Sequence, residues 1–187
     1  MRHGVILGVA VLVAGCGLFP SDADTLEGRL DMTAGTSTLS STEEAALRSA
    51  IDDEQRAWAT YDQVIADHGQ VLPFINIVEA EARHIGALEA LFAMYDLDVP
   101  ENPWVGAVPH FPSVSEACKG GVVAEIENVR LYDTLFESTQ RPDILAVFRN
   151  LRAASEERHL PAFERRLAGG GGGGRGAGRG RGGGRGR

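Results

Sequence analysis

Glu81 and His84 stand three residues apart, and so do Glu156 and His159. On an α-helix that spacing stacks a carboxylate and an imidazole on one face. Placed so, the two groups can hold one metal ion between them. Two further acids, Glu54 and Glu127, lie roughly thirty residues before the two histidines, in other helix-like stretches. The order is therefore Glu, Glu-x-x-His, Glu, Glu-x-x-His. A single Glu-x-x-His is weak evidence, because both residues are common on helix surfaces. Two of them, each preceded by a helix with a glutamate on a largely apolar face, make a pattern. The competing explanation is ordinary surface charge.

Four helices must position these groups. Ser40 with Glu43, or Ser41 with Glu44, offers a capping box for the first, which runs to about Asp67. Leu47, Ile51, Glu54, Trp58, Tyr61 and Ile65 recur at steps of three or four, one helical face. A carboxylate in the middle of that stripe is costly to bury without a cation or hydrogen bonds. His68-Gly69 closes the helix, with glycine at its C-terminus. Pro73 suits the first turn of the second helix, whose inner face is Phe74, Ile77, Glu81, His84, Leu88 and Leu91. The short connection makes these two helices antiparallel neighbours. Residues 97–113 carry four prolines and Trp104 and show little periodicity, enough chain to cross the bundle. Trp104, His110 and Phe111 are expected to seal one end of the core.

The third helix spans about Ser115 to Ser138, with Val122, Val123, Ile126, Val129, Leu131 and Leu135 as its apolar positions. Periodicity lets either Glu125 or Glu127 point inward. Pro142-Asp143 opens the fourth helix, which turns Ile144, Phe148, Leu151, Ser155, His159 and Phe163 inward. Pro161 should kink it just past His159. Cys118 reads as a small apolar residue near a helix start.

The ends differ in character. Arg2 and His3, an apolar run from Gly4 to Val13, and then Ala14-Gly15-Cys16 resemble a bacterial lipobox. Residues 1–15 are read as a signal peptide, Cys16 as the lipidated residue, 16–38 as a polar tether and 39–168 as the bundle. Residues 169–187 hold thirteen glycines, five arginines and one alanine, which cannot form a core. Outside that tail, 26 acids face 13 basic residues, a net −13. Such a body suits cations and argues against nucleic acid. The tail is expected to favour anionic lipid or polymer surfaces.

The segment from Leu39 to Leu167 resembles the bacterial domain-of-unknown-function 2202 family of the ferritin-like superfamily. The resemblance is carried by Leu39-Ser40 with Glu43 and Leu47, and by Glu54 with Tyr61. Phe74-x-Asn76-Ile77 and Glu81-x-Arg83-His84 follow, then Leu91, Tyr95, Leu97 and Pro100. Ile126-Glu127 with Leu131 and Asp133, and Asp143-Ile144 through His159-Leu160 and Ala162-Phe163, continue it. The spacing from Ser155 to His159 is one residue longer than the family pattern. The resemblance implies an all-α, ferritin-like antiparallel four-helix bundle with one long crossover between the second and third helices. It also favours Glu127 over Glu125. The arrangement Glu54, Glu81, His84, Glu127, Glu156 and His159 is similar to the ligand set of di-iron and di-manganese bundles. Iron is then the expected metal, manganese the alternative, and oxygen or peroxide the expected partner of an oxidoreductase in the cell envelope. A metal-binding, stress-protective lipoprotein without turnover, or an interaction lipoprotein with a metal-free bundle, is the alternative.

Overall fold

The computed structural model describes residues 38–169, and among these every regular element is helical. The signal peptide, the lipidation site Cys16, nearly all of the tether and the Gly/Arg tail beyond Gly169 lie outside the described residues. Helix α1 is Ser41–His68. Its start is fixed by a reciprocal cap: Glu43 N–H donates to Ser40 Oγ at 3.2 Å, and Ser40 N–H donates to the Glu43 carboxylate at 2.8 Å. Gly69 follows at φ 83, a left-handed value that glycine adopts without steric cost. Helix α2 is Phe74–Met94, and α1 packs along it. Helix α3, Val114–Leu135, starts where Ser113 accepts from Glu116 N–H at 3.2 Å, and ends in a 3-10 turn over Phe136–Ser138.

The last rod begins at Pro142. Helix α4, Pro142–Ala154, runs into a π-helical turn over Ser155–His159 and then into α5, Leu160–Gly169. Leu160 N–H bonds to the Ser155 carbonyl, five residues back. Pro161 lies one residue past that bond, so the irregularity sits on the N-terminal side of the proline.

Two apolar clusters form the interior. Leu47, Ile51, Leu88, Phe92, Tyr132 and Phe148 belong to one. Tyr61, Phe74, Cys118 and Phe163 belong to the other. On every helix the buried polar positions fall between the two: Glu54 on α1, Glu81 on α2, Glu125 and Asn128 on α3, and Ser155 and His159 in the π turn. The bundle thus carries a polar layer across its middle. Buried polar groups are costly unless they are paired or bind a cation, so the layer needs a chemical account.

Helix α3 departs from its expected face. Val123 is 55% exposed and Ile126 is 37% exposed; Leu135 is buried as expected, but so are Cys118, Gly121, Glu125, Asn128 and Tyr132. The seal expected from the 97–113 segment is also partial. Phe111 packs on the second cluster, Trp104 is half-buried with its indole N–H on Asp52 at 3.0 Å, and His110 is exposed against Asp67. No described helix is long and apolar enough to cross a membrane.

Candidate metal centre

Glu81 lies at the middle of the polar layer and points one oxygen at each histidine. Its Oε2 is 2.8 Å from His84 Nδ1, and its Oε1 is 3.1 Å from His159 Nδ1. Glu54 Oε2 approaches His84 Nδ1 at 3.0 Å. Glu125 Oε2 approaches His159 Nδ1 at 3.5 Å. Two groups of three result, Glu54–Glu81–His84 and Glu81–Glu125–His159, each with ligand atoms within 4.8 Å of one another. They share Glu81, and the two imidazoles stack with centroids 5.4 Å apart.

The carboxylates facing away from Glu81 are held by the opposite helix. Tyr61 Oη on α1 donates to Glu125 Oε1 on α3 at 2.7 Å. Tyr132 Oη on α3 donates to Glu54 Oε1 on α1 at 2.7 Å. Glu54 precedes Tyr61, and Glu125 precedes Tyr132, by the same seven residues, about two helical turns. Asn128 donates to Glu54 Oε1 at 3.1 Å and to Asp53 at 2.9 Å, while Ser155 Oγ donates to Asn128 Oδ1 at 2.8 Å. Asp53 is also paired with Arg56.

Electrostatics follow from these contacts. Burial alone would push His84 down, but hydrogen bonds to Glu54 and Glu81 raise it to about 9. At His159 the facing carboxylates of Glu125 and Glu81 outweigh burial and raise it to about 10. Burial pushes Glu54 up against the hydrogen bond from His84. Burial acts the same way on Glu81, but the two histidines outweigh it and hold it below the usual carboxylate range. Burial raises both Tyr61 and Tyr132, which keeps them hydrogen-bond donors. A protonated imidazole can stand in for a cation here. The substitution is incomplete, because His159 Nδ1 is buried with no properly aligned hydrogen-bond partner among the described residues, although two carboxylate oxygens face it. A nitrogen aimed between two oxygens without a good proton path fits a metal ligand, and the oxygen-rich donor set with two imidazoles fits iron or manganese.

Four of the expected residues, Glu54, Glu81, His84 and His159, converge. Glu127 does not: it is exposed, two residues beyond the buried Glu125 and so about 200° around the helix. Glu125 takes the inward place because it shares a face with Gly121, Asn128 and Tyr132. Glu156 also turns out. It is exposed and binds Arg152 at 2.5 Å. Its three-residue spacing from His159 would align the two on an α-helix, but the π turn has more residues per turn and puts Ser155 beside His159 instead. The Glu54/Tyr61 spacing, repeated at Glu125/Tyr132, was the signal that could have chosen Glu125. His68 Nε2 contacts the Phe111 carbonyl at 2.9 Å, remote from the cluster.

A cavity of ≈ 210 Å³ reaches the carboxylate side of the layer. Glu81, Glu125 and Tyr61 line it, together with Trp104, Phe111 and Val123.

No family model matches the chain, and no curated protein does. The fold is similar to that of the hypothetical protein MJ0754 from Methanococcus jannaschii DSM 2661, with a TM-score of 0.64 and 24% identity. The match covers 71% of this chain and 83% of that one. At that identity the likeness concerns the fold alone.

Proposed function

We propose that this protein is a ferritin-like, envelope-anchored lipoprotein whose bundle holds two metal ions, iron first and manganese as the alternative. In this reading the 97–113 segment is the long crossover of the ferritin-like arrangement. The observation that carries the proposal is the shared carboxylate: Glu81 presents one oxygen to each of two buried carboxylate–imidazole groups. Glu54 and His84 would complete one half-site, Glu125 and His159 the other. A redox-active metal pair there would supply electron exchange with oxygen or peroxide. Tyr61 and Tyr132 fix the rotamers of the terminal carboxylates. The ≈ 210 Å³ cavity is large enough for a small neutral oxidant and leads to the carboxylate side. Cys16 would carry the lipid, and the Gly/Arg tail would add weak affinity for anionic surfaces.

Metal analysis of purified protein supplied with Fe(II) or Mn(II) tests the centre, and oxygen or peroxide consumption with Fe(II) tests turnover. Loading near two ions per chain with consumption supports the oxidoreductase. Loading without consumption supports a protective metal-binding protein. Fewer than one ion per two chains would sink the metal reading. A metal-free interaction bundle would then take its place, consistent with His84 Nδ1 already bonded to both of its carboxylates.

A further inference from the structure

The imidazole side of the layer opens into a second cavity of ≈ 520 Å³. Both histidines line it, as do Arg83 and Arg158, the residues immediately before them in the chain. Asn76 is the other polar side chain there, and no carboxylate is among the lining residues. In a body this acidic, a cavity with two guanidiniums and no acid stands apart. Several other cations at helix surfaces are neutralised, as Arg48 is by Glu44, Arg56 by Asp53 and Arg152 by Asp133 and Glu156. Arg83 and Arg158 have no ion-pair partner among the described residues.

The histidines add to the imbalance. Each Nδ1 faces the carboxylates, so each Nε2 is on the far edge of its ring. Neither Nε2 has a hydrogen-bond partner among the described residues. A histidine that binds metal through Nδ1 carries its proton on Nε2, and almost always donates it to a carboxylate, a carbonyl or water. Here the neighbouring side chains are arginines, which have no acceptor. Four donors therefore border one space, and the described residues lining it offer no charged acceptor to them.

The geometry points to an oxyanion-binding site between Arg83 and Arg158, over the Nε2 edges of His84 and His159, for a small phosphate- or carboxylate-bearing molecule. Guanidinium forks match both groups in shape and charge. The volume is in the range of small-ligand sites and leaves room for an organic moiety. The imidazole contribution rests on the metal reading above; the arginine contribution does not. The protein thus presents two unlike doors to one polar layer, a mostly apolar one on the carboxylate side and a cationic one on the imidazole side.

The full chain is prepared metal-free and Mn(II)-supplied, metal content is measured, and calorimetry follows binding of inorganic phosphate and, separately, succinate. Saturable binding of either, weakened tenfold or more by Arg83→Gln with Arg158→Gln and less than twofold by Arg149→Gln, is the expected result. Phosphate preferred over succinate identifies a phosphate ligand, and the reverse a carboxylate ligand. Manganese content unchanged by the double substitution keeps this result separate from the centre itself. If the protein takes up no manganese, the metal reading fails while arginine-dependent binding to the metal-free form still supports the site. No saturable binding in either form, or equal loss from Arg149→Gln, overturns it.

Discussion

Tyr61 donates to Glu125 across the bundle at 2.7 Å, with no other hydrogen bond on that Glu125 oxygen among the described residues. The reciprocal pair, Tyr132 and Glu54, is reinforced, because Asn128 donates to the same Glu54 oxygen at 3.1 Å. The two tyrosines are alike in burial and in bond length, but they differ in redundancy.

Tyr61→Phe is therefore expected to destabilise the metal-free protein more than Tyr132→Phe. Losing the only donor to a buried oxygen costs about 1–3 kcal/mol, and a second donor softens the loss at Glu54. Urea unfolding of the two variants checks the order; equal costs would mean that Asn128 does not back up Tyr132.

The metal-free protein should lose stability as pH rises. His84 and His159 are raised to about 9 and about 10 in the folded chain, above the ordinary value near 6.5. Groups with a raised folded value contribute fully below the unfolded value and lose that contribution as pH climbs through the folded one. Thermal unfolding between pH 6 and pH 10 should show a falling midpoint. Metal binding should run the other way, since it must displace those protons, and its affinity should rise with pH. A midpoint that stays flat from pH 6 to pH 10 would count against charged histidines in the layer.

Glu125→Ala should remove far more metal than Glu127→Ala or Glu156→Ala. The first side chain is 2% exposed and faces His159; the other two are on the solvent side. Metal content of the three purified variants gives the answer directly, and equal loading of all three would remove Glu125 from the centre.

Gly121→Ala should destabilise although alanine is the better helix former. Alanine ordinarily gains about 1 kcal/mol over glycine in a helix, but a Cβ at this position would lie 2.7 Å from the Phe163 ring. Overpacking of that kind costs about 1–3 kcal/mol. That ring already packs against Tyr61 and Phe74 at centroid distances of 5.4 and 5.2 Å, so it has little room to retreat. A raised melting temperature in this variant would show that Phe163 moves freely.

The sequence was most legible where apolar spacing and end signals agreed. Ser40 with Glu43, Gly69 and Pro142 mark helix boundaries close to those observed. The spacing of Glu81 and His84 also held, because α2 is regular there. Helix α3 departs from its apolar pattern for a physical reason. Its buried face carries Glu125, Asn128 and Tyr132 beside Leu135, while Val123 and Ile126 face outward, so hydrophobicity alone does not mark the side. Glu156 points outward because three-residue stacking is a property of α-helices, and this turn is not one.

That turn also changes what an insertion or deletion can do. Three α-helical steps of about 100° and four π-helical steps of roughly 80° end at nearly the same bearing. One residue fewer between Ser155 and His159 thus leaves both side chains, and Phe163 beyond them, aimed at the same neighbours. Loss of one residue at this place is silent to the interior, whereas the same change in α1 or α2 would rotate everything downstream off its face. Related chains can therefore differ by one residue here and keep the same polar layer.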